Sequence, residues 1–232
     1  MPFPPSPYSA SFLVSIQRTI THERLLRYLG AAAQNISNAL LLYENNIALS
    51  EIMYGLLHGI EVSMRNAMHY CLKANYGRDD WYDVAPLSAY WRDQVNDAKD
   101  KVRSAAGLML PGKVIAELTF GFWVDLTGKH YKNSLWLGRK LSAAFPLTSK
   151  PRGDIHARLK AVQLLRNRIS HHERILTSRR KLYTGYALLT LTEVLECVDW
   201  VCADTAAWLK DRFRYAEAQR ILADVSATGV TL

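Results

Sequence analysis

Residues 35–77 contain no proline and carry apolar side chains at Leu41, Tyr43, Ile47, Met53, Leu56, Leu57 and Ile60. That pattern predicts one long helix ending near Tyr76-Gly77, with Ser50-Glu51 left open as a break within it. A helix so long needs other helices to cover it, which predicts a bundle core element. The remaining chain supplies them. Tyr8–Gln17 reads as a short helix capped by Ser9, Thr21–Leu29 as a second ended by Gly30, and Ser88 as the start of another. Pro111 precedes a short helix through Leu118, Lys129–Ala144 reads as helical and basic, and a further helix begins near Pro151. Lys181–Val201 and Thr205–Leu222 are expected as two closing helices. No N-G hairpin signal and no sustained period-two alternation is present. The expectation is an all-α fold, a single-domain helical bundle over residues 9–224. A flexible Pro-rich start (1–8) and a flexible tail (225–232) would flank it.

Charge divides unevenly along this scaffold. The net charge is +8, yet residues 1–100 hold 8 basic and 10 acidic side chains. Within 129–181 there are 14 basic residues against Asp154 and Glu173, a net of +12. Such a field attracts polyanions and favours nucleic acid or an acidic partner. The candidate contacts are Lys129, Lys132, Arg139, Lys140, Arg158, Lys160, Arg168 and Arg174. No apolar run approaches the roughly 18–20 residues that span a bilayer, so no membrane partner is expected. Met1–Pro7 lacks the features of a secretory signal, and three cysteines without C-x-x-C spacing suit free thiols in a reducing compartment. The expected location is cytoplasmic. The aromatic run Phe120-Gly121-Phe122-Trp123 reads as core packing rather than a base-stacking platform.

Inside the basic segment lies Leu165-Arg166-Asn167-Arg168-Ile169-Ser170-His171-His172-Glu173. Arginine is a permanent cation that holds phosphate through parallel hydrogen bonds, and histidine passes protons near neutral pH. Ile155, Leu159, Val162 and Ile169 form an apolar stripe, and continuing it places Arg166 where an apolar side chain is expected. Asn167 and His171 are four apart and share a helix face. His171 and His172 fall in the last turns, where the carbonyl end of the helix dipole favours an imidazolium. On spacing alone, a basic helix that ends in a histidine pair, with Arg166 reaching past the core to solvent, explains the pattern equally well.

Several blocks together resemble the bacterial Abi-like (abortive infection) proteins. They are Ile60-Glu61-Val62 with Met64-Arg65-Asn66-Ala67, Tyr76-Gly77 with Trp81, Val114 through Trp123, Leu165 through Glu173, and Trp208-Leu209 with Arg212-Phe213. In this order they cover most of residues 40–215. That family is part of the HEPN group of helical domains. The resemblance implies a HEPN-like bundle with additional helices, a metal-independent endoribonuclease, and a homodimer whose paired motifs line one cleft. It also implies a role in phage defence or as a toxin, held in check by an antitoxin that could be a small structured RNA. The family's R-x(4–6)-H pattern carries over onto Arg166 and His171, with Asn167 as companion. His172 also meets the spacing, and both imidazoles stay open, with His171 preferred because it shares a face with Asn167. Arg65-Asn66-x-x-His69 echoes the motif one residue short, so Glu61 and Arg65 join His172 as candidate supporting residues.

The residues are consistent with that chemistry. Carboxylates are scattered, and adjacent ligands in His171-His172-Glu173 diverge on a helix, so neither a metal site nor another cofactor is expected. No Gly-rich phosphate loop or G-x-S-x-G elbow is present. Acid–base chemistry on a substrate with its own nucleophile remains, and the 2′-OH of RNA is such a nucleophile. Two other classes compete: a catalytically inactive HEPN-like module that binds RNA or nucleotide, and a structural or partner-binding helical protein in which Arg166 pairs with a carboxylate.

Overall fold

The computed structural model describes residues 3, 6–106, 110–138 and 140–230. The fold is all-α. Helices α1 (Ala10–Ile20), α2 (His22–Ala31), α3 (Ile36–Tyr76), α4 (Ala89–Ala106), α5 (Pro111–Glu117), α6 (Phe120–Leu126) and α7 (Arg152–Ser170) are followed by α8 (Leu191–Asp199), α9 (Ala203–Arg212) and α10 (Tyr215–Ala227). Among the described residues the only paired strands are β1 (Leu182–Tyr183) and β2 (Leu188–Leu189), antiparallel with Leu182 opposite Leu189. Of the proline-rich start, Met1, Pro2, Pro4 and Pro5 lie outside the described residues. Among the described residues, no helix is long and apolar enough to cross a membrane.

Local chemistry accounts for the helix ends. The Ser9 hydroxyl accepts from the Phe12 amide, and Asn35 Oδ1 accepts from the Asn38 amide at 3.0 Å, each satisfying a donor left open at a helix start. Helix α3 runs unbroken for 41 residues, about 60 Å at 1.5 Å per residue. Ser50 does not interrupt it, because its hydroxyl donates back to the Asn46 carbonyl at 2.7 Å. The helix stops at Gly77, whose φ of +69° suits a residue without Cβ and whose amide donates to the Lys73 carbonyl.

Three helix expectations are corrected. Lys129–Ala144 is not one helix but a 3₁₀ turn (Lys129–Tyr131), a π-helical stretch (Lys132–Leu137) and a second 3₁₀ turn (Leu141–Ala144). Lys140, at φ +50°, sits in the left-handed region before that last turn. Lys181–Val201 begins as the β1–β2 hairpin. Gly185 takes φ +100° there, and the Thr184 hydroxyl accepts from the Ala187 amide. Helix α8 starts only after Thr190, through a reciprocal cap: Thr190 Oγ1 accepts from the Glu193 amide while Glu193 Oε2 accepts from the Thr190 amide. Thr205–Leu222 is divided at Arg214, which takes φ +54° between α9 and α10, and α10 continues through Ala227.

The chain forms two compact units, each assembled from separated stretches. The first comprises residues 1–57, 164–193 and 208–232, and the second comprises 58–163 and 194–207. Leu25, Leu42, Leu49, Met53, Leu56 and Leu176 are among the wholly buried side chains of the first unit. Its two buried backbone amides at Ile175 and Leu176 both donate to Asn46 Oδ1, at 2.9 and 3.0 Å. Trp81, Phe122 and Trp123 centre the second unit, with Phe122 and Trp123 edge to face at 5.0 Å and Trp81 and Trp123 at 6.1 Å. The aromatic run is therefore core.

Candidate functional site at the end of helix 7

Helix α7 delivers the motif through its last turn. Its buried positions are Ile155, Leu159, Val162, Leu165 and Ile169. The apolar stripe is thus continuous through Leu165, and the expectation that Arg166 interrupts it is corrected. A step of three from Val162 leads to Leu165 and a step of four to Arg166; a helix accommodates either, and the apolar side chain took the core. Arg166, Asn167 and Arg168 are half-buried at the edge of that stripe.

Beyond Ser170 the backbone closes in a Schellman turn. The His172 amide donates to the Ile169 carbonyl at 3.0 Å and the Glu173 amide donates to the Arg168 carbonyl at 2.8 Å. His172 occupies the left-handed position, φ +56°, that glycine usually fills. His171 precedes it, its amide donating to the Asn167 carbonyl at 3.0 Å, and both imidazoles are exposed.

The turn directs the two imidazoles differently. His172, not His171, lines a cleft of about 570 Å³ together with Arg24, Tyr43, Ser50, Glu51 and Tyr54. Arg24 stands over the Tyr43 ring at 5.9 Å, and Glu51 is paired with Arg214 at 3.0 Å. This cleft combines a guanidinium with an imidazole. Its arginine comes from α2, whereas Arg166 and Asn167 are not among its walls. Asn46 also lines it while tethering the strand of chain after the motif. Sequence reasoning singled out none of Arg24, Asn46 and Glu51. A polar residue inside the apolar run of α3, as Asn46 is, was the one available signal.

The other two supporting candidates belong to the second unit. Glu61 and Arg65 lie on α3 in the second unit, while Arg166, Asn167, His171 and His172 belong to the first. Arg65 Nε is buried without a hydrogen-bond partner among the described residues. His69, the near-match of the motif's histidine, accepts from the Trp81 indole at 3.0 Å through Nδ1. Burial, and after it the positive charge of Lys73, hold its pKa below the ordinary value.

The basic residues are divided between the two units. In the second unit Lys129, Lys132 and Lys140 are exposed, Lys160 is bonded to Gln163 at 2.9 Å, and Arg158 is paired with Glu196 at 2.9 Å. Arg139 lies outside the described residues. Arg168 and Arg174 belong to the first unit, where both guanidiniums approach the Tyr183 ring, at 4.8 and 5.3 Å. Among the described residues, no group of three or more His, Cys, Asp or Glu side chains is placed to hold a metal ion. Comparisons with protein families, with curated proteins and with solved structures find no match to this chain.

Proposed function

We propose that the chain is a metal-independent endoribonuclease of the HEPN type, acting as a toxin or in abortive-infection defence in the bacterial cytoplasm. The observation that carries the reading is the histidine pair exposed at the end of α7, one turn beyond Arg166 and within the most basic stretch of the chain. In the proposed reaction a ribose 2′-oxygen attacks the adjacent phosphorus and the bond from phosphorus to the 5′-oxygen breaks. An imidazole removes the 2′ proton, and a second imidazole, on the other side, protonates the leaving 5′-oxygen. Arg166 stabilises charge on the phosphorane oxygens, and Asn167 orients the histidine or the phosphate. Two proton transfers ask for two imidazoles, which a two-fold homodimer would supply by presenting a second copy of the motif.

His171 is the proposed acting imidazole. The specific observation in favour of His172 is its position on the cleft beside Arg24. The basic segment serves RNA as substrate, and equally a structured RNA as inhibitor. The test is RNA with 2′-H at the scissile position, assayed in EDTA. The all-ribose substrate is expected to yield a 2′,3′-cyclic phosphate and a 5′-OH, and the 2′-H substrate to stay intact. Cleavage of the 2′-H substrate would overturn the mechanism. RNA bound by wild type but never cut would favour an inactive binding module instead.

A further inference from the structure

A second pocket in the first unit, of about 380 Å³, is lined by Arg24, Arg27, Tyr28, Arg168, Arg174 and Tyr183 together with the carboxylates Glu23 and Glu173. Its size falls within the ~300–1,000 Å³ of small-ligand sites. Four guanidiniums meet two carboxylates there, and both carboxylates are already engaged. Glu173 pairs with Arg168 at 2.8 Å. Glu23 is held below the usual carboxylate range by its own backbone amide and by the Thr21 hydroxyl at the start of α2.

Arg174 is only partly satisfied by the protein. One terminal nitrogen donates to the Leu176 carbonyl at 2.6 Å, while its Nε–H is buried with no acceptor among the described residues. Burial lowers its pKa, and the like charges of Arg27 and Arg168 lower it further. A half-buried cation lining the pocket and pressed by other cations gains from an added anion. The walls are firmly set: Arg168 Nε donates to the Arg174 carbonyl at 3.1 Å, and the Tyr183 hydroxyl donates to the Gly185 carbonyl at 2.8 Å. Burial pushes the Tyr28 phenol up to about 12, so it stays protonated and adds no negative charge. Arg27 is exposed and supplies a reaching arm over this setting.

We infer that this pocket binds a phosphate group through Arg27, Arg168 and Arg174. The shared chemistry is a tetrahedral oxyanion met by converging guanidiniums, and its source is either inorganic phosphate or the terminal phosphomonoester of an RNA. The inference does not rest on the nuclease reading, because it is read by binding alone.

The test is thermal unfolding of the full chain in inorganic phosphate against chloride at matched ionic strength. Phosphate is expected to raise the Tm of wild type. Arg27→Glu, at an exposed position, is expected to bind phosphate about tenfold more weakly or worse, as loss of a charged hydrogen bond implies. Arg174→Met should abolish the response if it folds, and Arg27→Glu keeps the test decisive if it does not. Absence of a phosphate-specific rise in wild type overturns the proposal, as does an undiminished rise in Arg27→Glu. Oligoribonucleotides with 5′-phosphate and with 5′-OH then separate the sources. Preference for the phosphorylated end, lost in Arg27→Glu, assigns the pocket to RNA ends; equal binding, with the Tm rise retained, assigns it to free phosphate. Phosphate binding without RNA cleavage would sink the nuclease reading and leave this one standing.

Discussion

Arg168 and Glu173 meet twice, first through a backbone hydrogen bond of 2.8 Å from the Glu173 amide to the Arg168 carbonyl, and again through a side-chain ion pair at 2.8 Å. Between them the chain reverses at His172, whose φ of +56° places an L side chain in the left-handed region. A non-glycine residue pays roughly 1–2 kcal/mol for that conformation. His172→Gly is therefore expected to raise stability by roughly 0.5–1 kcal/mol, after allowing for the greater freedom of glycine in the unfolded chain. Urea unfolding with an unchanged slope is the measurement. A loss of stability of similar size would mean that the imidazole's contacts outweigh its backbone strain.

Asn46 holds the chain that follows this turn. Its single side-chain oxygen accepts from both Ile175 and Leu176, in surroundings where those amides have no access to water. Removing the acceptor strands two buried donors at roughly 1–3 kcal/mol each. Asn46→Ala is expected to destabilise by about 2–4 kcal/mol, at the upper end of what single substitutions do. An equilibrium denaturation curve reads it directly, and a change under about 0.5 kcal/mol, the range of ordinary surface substitutions, would show that the tether contributes nothing.

The parts of the fold legible in the sequence are those governed by local chemistry. Helix α3 was legible because 41 residues without proline leave few alternatives, and α1 because Ser9 offers a cap at the right distance. The break before α8 was written in Thr190 and Glu193, a T-x-x-E pair, but the apolar residues around Leu182 and Leu188–Leu189 fit a helix as well as a hairpin. What decided it was Gly185, whose positive φ the sequence permits but does not demand. The same ambiguity of period displaced Arg166 from the stripe, since Leu165 and Arg166 are neighbours and either continues the helical repeat. At the site, the end of α7 and its exposed histidines were legible. The cleft walls from α2 and α3 were not, because Arg24 and Glu51 approach His172 only through tertiary packing.

His69 predicts a pH dependence. The Trp81 indole N–H donates to Nδ1, which requires the imidazole to be unprotonated at that nitrogen. Burial first, then Lys73, holds the folded-state pKa below the ordinary 6.5. The unfolded chain therefore binds the proton more readily, and stability falls as pH drops through the unfolded value near 6.5 toward the lower folded one. Above that window the contribution is constant. His69→Gln keeps an acceptor for the indole and cannot titrate, so its Tm should decline less than that of wild type between neutral pH and mild acid. Parallel curves for the two proteins would remove His69 from the account.

The two imidazoles at the end of α7 can be separated by single substitutions, because both are exposed and neither is needed to fill the core. On the proposed mechanism His171→Ala loses RNA cleavage by about 10²–10⁴-fold, the usual contribution of a general acid or base, while His172→Ala keeps most of it. Arg166→Lys preserves charge but loses the planar fork that would hold a phosphorane in two places, so its activity should also fall while circular dichroism and Tm stay near wild type. The reverse pattern, a silent His171→Ala and a dead His172→Ala, would move the chemistry to the cleft that His172 shares with Arg24. Arg24→Gln should then fail as well, whereas on the His171 reading it leaves the chemical step unchanged. If both histidine variants cut RNA normally, the α7 terminus is a helix end and nothing more.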